Sequence, residues 1–243
     1  MIRFFATPEE LLGDTITLTG ENAAHGKVLR LKPGEQVLVC DGHGNECVCE
    51  VREQTGSAYI LTKLEVRDSL SEAKVKVSVY MALPKADKLE HVIQKATELG
   101  AWEIVTFPTA RCVSRPDDKS LKKKLERWQK IAASAAEQSG RGMIPNVLVL
   151  NSYAEALQRA VQADKAIVFY ENEHATTLRQ TLSEEAYTTV SILSGPEGGF
   201  EESEILQART AGMRICTLGR RILRCETAPL CGLSAIMYDA GEF

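Results

Sequence analysis

Apolar and polar residues alternate with a period of two from Ile16 to Val66. Ala58, Ile60, Thr62, Leu64 and Val66 interleave with Tyr59, Leu61, Lys63, Glu65 and Arg67, the pattern of a half-exposed strand. Residues 37–40 and 47–51 read as short strands on either side of Asp41-Gly-His-Gly-Asn45, whose glycines and asparagine suit a tight hairpin loop. Short strands separated by turn signals predict a small β-barrel over residues 1–70. The polar stretch 67–72 then reads as a linker.

The rhythm changes after residue 74. Residues 75–83 read as a buried strand. Leu89, Val92, Ile93, Ala96 and Leu99 follow at helical spacing, and Gly100 ends that helix. Residues 104–107 read as a strand. Leu121, Leu125, Trp128, Ile131, Ala132 and Ala135 mark a long amphipathic helix that stops near Gly140. Further strands are expected at 166–170, 190–193 and 214–218, and helices at 201–211 and 227–237. Strands alternating with helices imply an α/β domain over 74–243, built on a mostly parallel sheet with helices on both faces.

Composition narrows the function classes. Of 243 residues, 44% are hydrophobic and 26% charged, an ordinary globular balance that argues against disorder. No apolar run approaches the roughly 18 residues of a membrane span, and MIRFFATPEE has no apolar secretion core. The expectation is a cytoplasmic protein with no membrane partner. Seven cysteines without a CxxC pair and four scattered histidines argue against a zinc site and a disulfide framework, so no metal is expected.

The net charge of −4 conceals strong local asymmetry. Residues 111–130 carry eight bases against three acids, residues 212–224 four arginines and no acid, and residues 171–204 eight glutamates against one arginine. One anionic partner, with one face kept clear of it, accounts for this distribution. The lysines of 119–130 taken alone read as the solvated side of a helix.

Ligands of parallel α/β sheets bind in loops at the carboxyl ends of strands, and two such loops stand out. The first is Ser194-Gly-Pro-Glu-Gly-Gly-Phe200. Gly198 and Gly199 permit close backbone approach, and the helix that follows offers free N–H groups. A phosphate cradle is disfavoured, because Glu197, Glu201, Glu202 and Glu204 crowd the helix start and oppose a triphosphate. Neither GxxxxGK[ST] nor GxGxxG is present. The second loop runs from Leu218 to Ala228. Its apolar Ile222 and Leu223, flanked by Arg220, Arg221 and Arg224, suit a flat ring beside an anion, or equally an anchor of the loop to the core.

GPEGGF at 195–200 together with LGRRILRCETA at 218–228 resembles the paired signature of SPOUT methyltransferases. More narrowly it resembles the RsmE family, bacterial 16S ribosomal RNA uridine-N3 methyltransferases. Supporting stretches are Lys88-Leu-Glu90, Lys95-Ala-Thr-Glu-Leu-Gly100, Trp128-Gln-Lys-Ile-Ala132, Glu137-Gln-Ser-Gly-Arg141 with Ile144-Pro145, and His25 with Val28-Leu-Arg-Leu-Lys-Pro-Gly34.

The resemblance implies a PUA-like RNA-binding barrel (1–70) and a SPOUT α/β domain (74–243) with a C-terminal trefoil knot, acting as a homodimer. It implies S-adenosylmethionine as cofactor, a cation that tolerates the glutamates, held by Leu193, Gly195, Pro196, Glu197, Gly198, Leu218, Gly219, Ile222, Leu223, Arg224 and Thr227. Glu197 either contacts the ligand or caps a turn. The reaction implied is methylation of N3 of uridine 1498 in 16S rRNA of the assembled 30S subunit. Alternatives are another base, a ribose 2′-hydroxyl, a non-catalytic ribosome-binding role, or a nucleotide-cofactor enzyme.

Uracil N3 becomes a nucleophile only when its proton leaves, so a base or cationic donors are needed. Arg224 is the candidate anion stabiliser. Glu226 is the base, the orienter of Arg224, or merely an acid at a helix start. Cys225 has no role as a nucleophile in direct transfer to nitrogen. Phosphate contacts are expected from Arg30, Lys32, Lys85, Lys88, Arg111, Arg115 and Arg141.

Overall fold

The computed structural model describes residues 1–243, which divide into two units, 1–72 with 136–144 and 73–135 with 145–243. The first unit is a five-stranded sheet. Its strands are β1 (Ile2–Phe5), β2 (Thr15–Leu18), β3 (Gln36–Cys40), β4 (Asn45–Thr55) and β5 (Ala58–Asp68), in the order β1-β3-β4-β5-β2. β1 runs parallel to β3, and the other pairs are antiparallel.

The hairpin between β3 and β4 turns where the sequence places it. Asp41 accepts backbone hydrogen bonds from His43 (2.7 Å) and Asn45 (3.0 Å), and Gly42 and Gly44 take positive φ values that disfavour a side chain. Inward-facing Phe4, Ile16, Leu18, Val37, Val39, Cys49 and Leu61 form the core. Burial pushes the Cys49 thiol up to about 12, so this cysteine behaves as a small hydrophobe. The period-two reading between Ile16 and Val66 is corrected in one stretch: α1 (Gly20–Val28) interrupts it and buries Ala23 and Gly26.

The second unit contains β6 (Lys76–Ala82), β7 (Glu103–Phe107), β8 (Asn146–Val149), β9 (Lys165–Phe169), β10 (Thr189–Ser194) and β11 (Arg214–Cys216). All are parallel, in the order β11-β9-β10-β6-β7-β8. Every residue of β7 and β9 is buried, as expected for a parallel sheet covered on both faces. The helices are α2 (Lys88–Glu98), α3 (Asp118–Ser139), α4 (Tyr153–Ala160), α5 (Leu178–Ser183), α6 (Glu202–Thr210) and α7 (Thr227–Asp239).

Residues 136–144, which the sequence reading leaves in the 74–243 part, group with the first unit. Strand β8 and helices α4 and α5 are additional to the sequence reading. Helix α7 packs on β6 and β10 and beside α2. Its Gly232 lies so close to the Phe169 ring that a Cβ there would collide with it. Because β6 and β10 are hydrogen-bonded neighbours, the loops leaving their carboxyl ends emerge side by side, and the site is assembled there.

Candidate active site

The loop after β10 folds back on itself. The Gly199 N–H donates to the Pro196 carbonyl at 2.9 Å, and Gly199 takes φ +68°. A Cβ on Gly195 would come within 3.2 Å of the Gly199 backbone. Gly198 leaves room for Arg111, whose guanidinium donates to the Gly198 carbonyl at 2.9 Å. The glutamates expected to crowd this turn divide their work. Buried Glu204 accepts from the Ala110 N–H (2.9 Å) and the Glu201 N–H (2.9 Å), closing a capping box on α6. Glu197 reaches the loop after β6 instead: it accepts from the Lys85 N–H at 3.0 Å and pairs with the Lys88 ammonium at 2.9 Å.

The loop after β11 is held at its ends and open between them. Thr217 and Gly219 bond to one another at 3.2 Å, and the Thr227 and Ala228 N–H groups donate to the Arg224 carbonyl. Leu218, Ile222 and Leu223 enter none of the backbone hydrogen bonds of the turns and loops. Ile222 is 85% exposed and so does not anchor the loop to the core. Exposed apolar side chains beside unpaired backbone donors and acceptors fit a bound heterocycle. The donor set therefore fits a nucleoside-bearing cation: backbone groups for its rings and carboxylates nearby.

Glu226 is the N-cap of α7. Its carboxylate lies 3.5 Å from the Lys88 ammonium, accepts from the Cys225 thiol at 3.2 Å, and stands 4.0 Å from Arg224. Burial works to raise the carboxyls of Glu226 and Glu197, but hydrogen bonds and Lys88 carry both below the ordinary carboxylate value. The hydrogen bond to Glu197 outweighs burial and pushes Lys88 up. Burial and Glu226 push the Cys225 thiol up to about 12, which keeps it protonated and poorly nucleophilic.

The structure gathers Glu197, Glu226 and Lys88 and leaves the Arg224 side chain 83% exposed beside them. Leu193 and Pro196 are buried beneath the first loop, while Gly219 and Thr227 are exposed on the second. Two of the residues expected from sequence to contact phosphates have carboxylate partners within the chain. Arg141 is 3% exposed and bound to Glu72 at 2.7 Å. Lys88 is engaged by the two carboxylates. Arg30, Lys32, Lys85, Arg111 and Arg115 are exposed.

Sequence reasoning missed Lys88 as a member of this site. One signal was available: a cation at the first residue of a helix opposes the helix dipole, so acids from elsewhere in the chain are expected to compensate it. No group of three or more histidine, cysteine, aspartate or glutamate side chains gathers to hold a metal, and no helix is long and apolar enough to cross a membrane.

An RNA methyltransferase domain model matches residues 71–237, and an RNA methyltransferase PUA domain model matches residues 18–62. The Bacillus subtilis ribosomal RNA small subunit methyltransferase E is 40% identical over 231 residues, covering 93% of this chain and 90% of its relative. The chain belongs to the ribosomal RNA small subunit methyltransferase E family. The Mycobacterium bovis member of this methyltransferase E family is 33% identical, with 92% and 86% covered. A crystal structure of the Neisseria gonorrhoeae member bound to S-adenosyl methionine is 31% identical, with a TM-score of 0.83 over 98% of this chain and 97% of that one. The two loops described above belong to the region matched by the family's methyltransferase domain.

Proposed function

We propose that this methyltransferase transfers a methyl group from S-adenosylmethionine to N3 of uridine 1498 in 16S rRNA of the assembled 30S subunit. The observation that carries the proposal is the pair of loops, whose backbone groups at Leu218, Ile222 and Leu223 lie open beside Glu197, Glu226 and exposed Arg224. When bound, S-adenosylmethionine supplies an electrophilic methyl group on a sulfonium cation.

The backbone of 193–198 and 218–223, with Thr227, holds the cofactor. Arg224, with no pairing closer than 4.0 Å, is placed to stabilise negative charge on the uracil as N3 loses its proton. Of the roles left open for Glu226, orientation fits better than general base: a carboxyl held below its ordinary value and beside an ammonium is a weak acceptor for so weak an acid. N3 lies on the pairing edge of uracil, so the target base is unpaired or flipped out. Arg30 and Lys32 in the first unit, and Lys85, Arg111 and Arg115 in the second, contact phosphates.

Residues 1–70 serve as the RNA-gripping PUA-like module and 74–243 as the methyltransferase domain. The last segment threads a trefoil knot; in support, β11 lies beyond β9 while α7 returns to pack on β10 and β6. The enzyme works in the cytoplasm as a homodimer, a reading favoured by the exposed Tyr238 on the otherwise apolar α7.

The test is methyl transfer from labelled S-adenosylmethionine to unmethylated 30S subunits and to naked 16S RNA, with product nucleosides identified by mass. The expected product is 3-methyluridine, formed mainly on the subunit. A 2′-O-methylated nucleoside would overturn the acceptor atom, and cofactor binding without transfer to either RNA would overturn the substrate.

A further inference from the structure

Three segments distant in sequence meet at one ammonium. Lys88 opens α2. Its Nζ lies 2.9 Å from Glu197 in the loop after β10, 3.5 Å from Glu226 at the cap of α7, and 3.8 Å from the Cys225 sulfur. The Lys85 N–H, from the loop that leads into α2, adds a second grip on Glu197 at 3.0 Å.

Neither carboxylate has another basic side chain within 3.5 Å, and Arg224 stands 4.0 Å from Glu226. The arrangement is balanced by helix polarity. A cation at the start of α2 is unfavourable by itself, whereas acids near the starts of α2 and α7 are favourable. Without Lys88, two carboxylates around one point would repel, and the loops that carry them would separate.

We propose that Lys88 is a positioning residue, a clasp that sets the spacing of the two cofactor-holding loops by binding Glu197 and Glu226 at once. This rests on the cofactor reading above. The clasp acts on ligand-free protein too, since it is made wholly of the chain's own residues. It also occupies the carboxylates, so that neither is free to take a proton from substrate.

The experiment compares wild type, K88M, K88R and the double variant K88M/E226Q. The readouts are S-adenosylmethionine affinity by calorimetry and amide hydrogen exchange of residues 195–199 and 218–226 without ligand. K88M is expected to weaken cofactor binding about tenfold (a difference of 1.4 kcal/mol per factor of ten) and to speed exchange in both loops. K88M/E226Q is expected to regain much of the affinity, because one of the two repelling charges is gone, and K88R to stay near wild type.

A lost packing contact of the lysine stem would not be rescued by a change at residue 226. K88M binding the cofactor as tightly as wild type, or a double variant no better than K88M, would overturn the clasp. If wild type itself takes up no S-adenosylmethionine, the cofactor reading fails. The ligand-free exchange comparison still decides the clasp.

Discussion

Arg141 holds Glu72 across sixty-nine positions of sequence, its Nη2 2.7 Å and its Nε 3.2 Å from the same carboxylate oxygen. The other oxygen of Glu72 accepts the N–H groups of Gly142 (2.8 Å) and Met143 (3.1 Å). One carboxylate thus receives four hydrogen bonds and fastens the segment 136–144 to the end of the strand-rich part of the first unit. A charge-assisted arrangement of this kind is strong because both ions are largely removed from water and still fully paired.

Replacing Arg141 with Met is therefore expected to destabilise the protein by about 3 kcal/mol, since it strands a poorly solvated carboxylate. The melting temperature should fall by roughly 6–12 °C, while RNA affinity of the folded fraction stays unchanged. Weaker RNA binding at unchanged melting temperature would return Arg141 to the RNA-contacting set.

Arg224→Ala is expected to lower kcat on 30S subunits by about 10²–10³-fold, the usual consequence of removing one donor to a developing anion. Cofactor affinity should change little, because in the proposed site the neighbouring backbone rather than the guanidinium holds the ligand. Single-turnover transfer together with calorimetry separates the two effects, and wild-type turnover would remove Arg224 from the mechanism.

The clasp has a defined pH window. Glu197 and Glu226 lie below their ordinary 4.5 in the folded protein, so their stabilisation is present above 4.5 and disappears as pH falls through the lower folded values. Lys88 lies above its ordinary 10.5, so its stabilisation is full below 10.5 and disappears as pH rises through the higher folded value. Thermal melts across this range should show a plateau between the two limits. In E226Q the acid-side decline should be shallower, and an unchanged decline would count against the pairing.

Gly232→Ala puts a methyl against the Phe169 ring where α7 crosses the sheet. Overpacking costs about 1–3 kcal/mol, offset by the 0.5–1 kcal/mol that alanine gains over glycine in a helix. A net loss of about 1 kcal/mol by chemical denaturation is the expected result. A more stable variant would mean that the ring yields freely.

The pair Arg30 and Lys32 lies just beyond α1, with Arg30 in the left-handed region at φ +57° and both side chains exposed. R30A/K32A should weaken 30S binding and reduce the salt slope by about 1 per lost phosphate contact, with cofactor binding untouched. An unaltered salt slope would place the RNA elsewhere.

Much of the second unit was legible because its elements are long or uniformly apolar. The run ending at Leu83 and the Leu89–Leu99 spacing correspond to β6 and α2, within a residue or two at either end. Helix α1 was not legible: it buries only Ala23 and Gly26, too few apolar positions for a 3.6-residue period to show. Strand β8 is four residues long and opens on an exposed Asn146, which gives no alternation to detect. The two loops were visible through their glycines and arginines. The electrostatics between them were hidden, because Lys88 stands 109 positions from Glu197 and 138 from Glu226, and only the adjacency of β6 and β10, with the return of α7 onto both, brings them together.

The first unit is made from two pieces of chain, with residues 73–135 emerging between them. A growing polypeptide therefore displays all five strands while the partner of Glu72 is still unmade. At roughly 5–20 residues per second, that carboxylate waits about 3–14 s for Arg141. Its order of synthesis leaves this RNA-modifying enzyme's first-born sheet without its second piece of chain until residues 136–144 have been made, and during that interval the end of the sheet at Glu72 is open to chaperones or to a second nascent chain.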